Sequence, residues 1–191
     1  MAAGCHTSGV SSPFLYFGGD RLSEAELIAA SLDGDLVRLG EGYVPADTVE
    51  TAALRAASLA PLVGDDAAAT HASAAWVLGG CGEPPARHSI QRIVAHRTRH
   101  RLDSRYVYRD PRIDADDLVR LGGVAVTTPA RTIADLARDE DPDADALIAG
   151  LVRVHDGSLT AAFAWFAARG KLPGKRSALA LLRRYQATTT T

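Results

Sequence analysis

Leu118-Val119-Arg120-Leu121-Gly122-Gly123-Val124-Ala125-Val126-Thr127-Thr128-Pro129 is the stretch that decides the fold. Two short β-prone runs flank Gly122-Gly123, and adjacent glycines supply the positive φ that a two-residue hairpin turn needs at both central positions. Thr128 then stands as an N-cap and Pro129 as a first helical residue, which opens a helix through Arg138. Strand, turn, strand and helix succeed one another without a break, so the chain mixes α and β structure.

Outward from this stretch the same grammar recurs. Asp-Leu-Val-Arg-Leu-Gly leads into the hairpin at Asp117–Gly122 and also stands at Asp35–Gly40, followed each time by a strand, a proline and a helix. Two copies separated by dissimilar sequence fall short of a periodic array, so they read as two hairpins obeying one pattern. The earlier copy predicts strands at Leu36–Leu39 and Tyr43–Val44 around a three-residue turn, Gly40-Glu41-Gly42. Ser23 and Glu26 form a capping box for a helix through Ala30. Asp47 and Glu50 form another, ahead of the stripe Val49, Ala52, Ala53, Ala56 and Ala60.

A helix is expected from Thr70 to Leu78, stopped by Gly79-Gly80, and Pro84-Pro85 marks a loop. Ile90–Ala95 and Tyr106–Tyr108 read as strands of a hairpin with an arginine-rich tip. Three helical segments complete the chain. Leu159, Ala162, Phe163, Phe166 and Ala167 make a core-facing stripe behind Ser158 as N-cap; Trp76 and Trp165 read as packing anchors, and Trp165, beside the stripe, leaves room for partial exposure at an interface. The last helix, Ser177 to Gln186, buries Leu181, Leu182 and Tyr185 and turns Arg183 and Arg184 outward.

The 191 residues carry a net charge of -2, but the signs are segregated. Asp20–Glu50 and Ile113–Asp145 are each about -6, whereas Arg87–Arg112 and Ala146 to the end are each about +6 by summing residue charges. Arg92, Arg97, Arg99, Arg101 and Arg105 lie in the first basic block and are the candidate nucleic-acid contacts, since clustered guanidiniums grip phosphates bidentately. A solvated charged loop is the bland alternative. The acids Glu24, Glu26, Asp33 and Asp35 would repel phosphate, so DNA contact is expected at the basic block and not at the first helix.

Arg131, Asp135, Arg183 and Arg184 are weaker candidates for a partner contact. Arg131 and Asp135 are one helical turn apart and can simply pair with each other. His96 and His100 lack the helical glutamate of a metal motif, and no metal or other cofactor is expected. His71 reads as a satisfied structural histidine, and Tyr106 and Tyr108 share one strand face and read as core. No Gly-x-Ser-x-Gly elbow or Walker loop is present, and Asp114, Asp116 and Asp117 crowd one turn, so no enzyme activity and no small-molecule substrate are inferred. Cys5 and Cys81 suggest reduced thiols. No run is apolar enough for a membrane span and Met1–Val10 lacks a signal peptide's pattern, which predicts a cytoplasmic protein with no membrane partner.

Leu36-Val37-Arg38-Leu39-Gly40-Glu41-Gly42-Tyr43-Val44-Pro45 resembles the wing of the winged-helix unit that opens AbiEi-type antitoxins. Thr70-His71-Ala72-Ser73-Ala74-Ala75-Trp76 is similar to a helix of that family, and Thr127-Thr128-Pro129-Ala130-Arg131-Thr132-Ile133-Ala134-Asp135-Leu136 resembles its most recognisable segment. The resemblance implies a DNA-binding unit, a larger antitoxin domain, repression of its own operon through operator duplex DNA, and a nucleotidyltransferase-like toxin as partner. Too few helices precede the wing, so the unit is reduced. The expected organisation is α+β: a disordered start over 1–19, a reduced winged-helix-like unit over 20–46, a mixed domain of short β-hairpins with a helical C-terminal half over 47–187, and a tail over 188–191.

Overall fold

The structure is a computed structural model that describes residues 13–96, 103–139 and 141–189. The chain is an α+β protein with a two-stranded and a five-stranded sheet. The first helix, α1 (Glu24–Leu32), opens on the expected capping box: Ser23 Oγ accepts from the Glu26 backbone N–H, and the Glu26 carboxylate accepts from the Ser23 N–H. It packs on the hairpin of β1 (Leu36–Leu39) and β2 (Gly42–Pro45), where Leu27, Leu36 and Tyr43 form a small core of their own.

Leu39 pairs with Gly42, so the turn is the two-residue Gly40-Glu41 and not the expected three-residue one. The expected disordered start also ends too late. Tyr16 and Tyr43 exchange backbone hydrogen bonds of 2.9 Å, and Leu15 is buried in the main core, so residues 13–19 belong to this unit. Met1–Ser12 lie outside the described residues.

The second capping box does not form. Thr51 caps α2 (Ala52–Ser58) through a bond from the Leu54 N–H, Glu50 pairs with Arg55, and Val49 is exposed. Pro61 breaks the run into α2 and a short α3 (Ala60–Val63), because its ring removes a helical donor.

The five-stranded sheet has the order β5–β4–β3–β7–β6. Its central strand, β3 (Ala67–Ala69), has no counterpart in the sequence reading, because three alanines show no alternation and favour helix. Ala67 and Ala69 face the helices, while Ala68 packs with Ile113 and Ala125 on the other face. Such small side chains suit a strand buried on both faces. Strands β4 (His88–Arg92) and β5 (Tyr106–Arg109) run parallel, which corrects the expected hairpin, since a tight turn joins only antiparallel neighbours. Strands β6 (Leu118–Leu121) and β7 (Val124–Thr127) form the predicted hairpin, with φ of 53° at Gly122 and 84° at Gly123.

Strands β3 and β7 are parallel, and each passes through a threonine into a helix: Thr70 into α4 (His71–Val77) and Thr128 into α5 (Pro129–Leu136). Helix α6 (Ala144–Val154) packs on both, and α7 (Ser158–Ala167) packs on α5 and on α8 (Lys175–Thr189). Gly157, with φ of 75°, occupies the cap position expected for Ser158. Leu182 is buried as expected, with Leu181 and Tyr185 half-buried, and the helix continues through Thr189 where a tail is expected. No described helix is long and apolar enough to cross a membrane.

Candidate functional site

The basic block divides into three parts. Arg97, Arg99 and Arg101 lie outside the described residues. Arg92 closes the end of β4. Its Nε donates to the Asp110 carbonyl at 3.0 Å, its Nη1 to the carbonyls of Val94 and Ala95 at 2.7 and 2.8 Å, and the Asp110 carboxylate lies 3.3 Å from Nε. Arg105 closes the start of β5, bridging Asp103 and, across to the N-terminal hairpin, Glu41 at 2.5 Å. Both are expected from the sequence to be phosphate contacts, and both are engaged inside the protein as anchors of the connection. Tyr106 and Tyr108 are half-buried against the core, as expected.

A second assembly grows from the decisive stretch itself. The 3₁₀ turn Ala115–Asp117 carries Asp117 under the first turn of α5, and the Asp117 carbonyl accepts from the Thr128 N–H at 2.9 Å. The Asp117 carboxylate, 6% exposed, receives Arg131 Nη1, Arg169 Nη2 and Trp165 Nε1, each at 2.8 Å. Arg131 Nε donates to Asp135 at 2.8 Å, and Arg138 lies 3.5 Å from the same carboxylate.

The Trp165 ring is buried between two guanidiniums, with Arg169 3.8 Å and Arg131 5.1 Å from its centroid. Trp165 is thus the packing anchor expected, although helical phase alone places it beside the stripe and cannot register the charged partners that close over it. Arg131 and Asp135 do pair as expected, and both are buried. Burial works against the charge on Arg131, yet Asp135 and Asp117 outweigh it and raise its pKa.

Beside this network opens a cleft of about 290 Å³. His71, Gln91 and Pro111 form part of its wall, and Arg109, Arg131 and Arg138 with the acids Asp135 and Asp139 complete it. His71 is the one described non-glycine residue with positive φ, at 49°, a left-handed conformation costing on the order of 1–2 kcal/mol. Its Nδ1 lies 3.0 Å from Thr70 Oγ1 and its Nε2 3.8 Å from the Asp139 carboxylate. Burial pushes the imidazole down to about 4; Asp135 and Asp139 oppose this and Arg109 and Arg131 add to it, so His71 is neutral at pH 7. Arg109 Nη2 donates to Asp139 at 2.5 Å, while its Nε is buried with no hydrogen-bond partner.

Of the remaining expected sites, Arg183 is exposed on α8, and Arg184 pairs at 3.0 Å with Asp145. His96 ends a described segment and His100 lies outside it, and among the described residues no group of three or more His, Cys, Asp or Glu is placed to hold a metal. Sequence reasoning sees Asp117 only as one of three crowded carboxylates, spaces Arg138 to pair with Asp135 as it does, and passes over Arg109, Asp139 and Arg169. The one usable signal for Asp117 is the repeated hexapeptide that it heads.

No family model matches the chain, and no curated protein matches it. Among solved structures the chain is similar to the crystal structure of the RV2827C protein from Mycobacterium tuberculosis, at 20% identity, covering 84% of this chain and 69% of that one with a TM-score of 0.35, a likeness too distant to bear on fold or function.

Proposed function

We propose that the chain is a non-catalytic regulatory protein of the AbiEi-like antitoxin type that binds operator duplex DNA through the connection between β4 and β5, with a nucleotidyltransferase-like toxin as its protein partner. The observation that carries the DNA reading is how the acids around that connection are spent. Asp110 is taken by Arg92, and Asp103 and Glu41 are taken by Arg105. Between Ile93 and Leu102 the sequence holds Arg97, Arg99 and Arg101 and no acid. The segment is thus a run of cations between two anchored ends, and arginine in such a run neutralises backbone phosphate and releases counterions.

The toxin half of the reading rests on the resemblance of the β1–β2, α4 and α5 segments alone. Fluorescence anisotropy of a labelled duplex across a salt series tests the DNA half. Three phosphate contacts predict a log–log slope of about -3, at roughly 0.9 per contact. Binding independent of salt, or no binding at low salt, rejects it.

A further inference from the structure

We propose that the cleft bounded by Arg109, Arg131 and Arg138 is a binding site for a carboxylate group, separate from the DNA-binding connection. Its guanidiniums are held in place by acceptors of the protein itself. Arg131 is fixed by Asp117 and Asp135 through Nε and Nη1, Arg138 by the Pro173 carbonyl through Nε and by Asp135, and Arg109 by Asp139 through Nη2. Each guanidinium has five N–H donors in a rigid fork, so each keeps donors beyond those contacts, already oriented at no further ordering cost.

The balance of charge selects a singly charged anion. Three guanidiniums against Asp135 and Asp139 leave +1 at the wall, and behind it Asp117 is offset by Arg169. His71 adds a neutral imidazole at the wall, so it contributes hydrogen bonding without charge. Among the described residues no Phe, Tyr or Trp lines the cleft and Pro111 is its main apolar surface, which leaves little for apolar bulk to pack against. Its volume stands at the lower edge of the roughly 300–1,000 Å³ usual for ligand pockets, which suits a small acid or one acidic side chain.

Two details point to a ligand and not to a self-contained salt-bridge network. His71 holds a strained left-handed backbone while 93% buried, and strain of this kind gathers at ligand sites. Among the described residues Arg109 Nε is a buried donor without an acceptor, the kind of unmet donor that a bound carboxylate satisfies.

The test uses the full chain, titrated at constant ionic strength with sodium acetate, sodium glutarate, a blocked glutamate-containing tripeptide, inorganic phosphate and sodium chloride. Binding is read by the ¹⁵N–¹H resonances of the arginine Nε groups. The carboxylates are expected to shift the Arg109 and Arg138 resonances saturably, and Arg138→Gln and Arg109→Gln, each checked for a parent-like fold by circular dichroism, are expected to weaken binding at least tenfold.

Tighter binding of acetate than of the tripeptide identifies a free acid as the source, and the reverse order identifies an acidic side chain of a partner; either result upholds the carboxylate site. Shifts by phosphate but not by carboxylates, shifts equal to those from chloride, or full binding by both variants overturn it. Duplex binding is measured on the same samples. Because the cleft and the connection are separate, loss of DNA binding with carboxylate binding intact rejects only the DNA reading.

Discussion

At Asp35–Gly40 and again at Asp117–Gly122 the same six residues enter a hairpin with the same register, offset by 82 positions. Leu39 pairs with Gly42 as Leu121 pairs with Val124, and the aspartate carbonyl accepts from Ala46 in one copy and from Thr128 in the other. The arginine of each copy donates to a turn carbonyl, Arg38 to Gly40 and Arg120 to Gly123. Both turns close on α2, the first against Ser58 and the second against Ala53 and Ala57. The backbones repeat, and the side-chain fates diverge. Asp35 is exposed beside the small N-terminal core, whereas Asp117 is buried and anchors Arg131, Arg169 and Trp165. The segment after each hairpin makes the difference, since only the second hairpin runs directly into a helix whose first turn supplies a cation.

The sharpest break of this comparison is Asp117→Ala against Asp35→Ala. Removing Asp117 strands two guanidiniums at the edge of the core, and breaking a buried ion pair costs about 3–5 kcal/mol. Asp35→Ala is expected to stay within about 0.5 kcal/mol, as exposed substitutions do. Equal denaturation midpoints for the two variants would erase the distinction.

Next come the turns. A Cβ at Gly122 meets the Ala53 backbone carbonyl, which cannot move alone, while one at Gly40 meets the Ser58 hydroxyl, which can rotate. Both glycines have positive φ, near +54°. Gly122→Val is expected to lose about 3 kcal/mol from left-handed strain and overpacking together, and Gly40→Val about 2 kcal/mol. Urea titrations rank them, and the reverse order contradicts the packing argument.

His71 gives the main domain an acid sensitivity that sets in below about pH 6.5. The unfolded chain takes up this proton near pH 6.5 and the folded chain only near about 4, so protonation favours unfolding. Its contribution is complete above about pH 6.5 and falls away toward pH 4, by up to about 3 kcal/mol at 1.36 kcal/mol per pH unit. His71→Asn keeps a residue that tolerates positive φ and is expected to flatten stability between these pH values. An unchanged pH profile would show that His71 is not the titrating group. The smallest effect is expected at the capping box: Ser23→Ala should cost about 1 kcal/mol, seen as faster amide exchange in α1 with the five-stranded sheet unaffected.

The sequence is most legible where local chemistry suffices. Gly122-Gly123, Thr128-Pro129 and Ser23 with Glu26 each determine a turn or a cap within a few residues, and each stands as read. It is least legible where partners are distant. Nothing near Ala67–Ala69 announces a central strand, because its reasons are Ile90 and Val126 on either side of it in the sheet. The parallel β4–β5 pair escapes for the same reason: alternation identifies strands but carries no direction. The candidate sites divide likewise. Arg131 with Asp135 is readable as a helical pair, but their burial depends on Asp117, whose contacts with Arg131, Trp165 and Arg169 span 14, 48 and 52 positions.

The two regions differ most in charge, and there the central claim is most exposed to test. The N-terminal helix presents Glu24 and Glu26 in its first turn, while the β4–β5 connection carries Arg97, Arg99 and Arg101 with no acid among them. Duplex anisotropy across a salt series should be compared for the parent, an Arg97→Ala/Arg99→Ala/Arg101→Ala variant and a Glu24→Lys/Glu26→Lys variant. The triple-arginine variant is expected to bind weakly to every sequence, with its log–log salt slope flattened by up to about 0.9 per lost phosphate contact, and the charge-reversed helix is expected to bind at least as well as the parent. A triple variant that binds like the parent, or a charge-reversed helix that abolishes binding, would contradict the account.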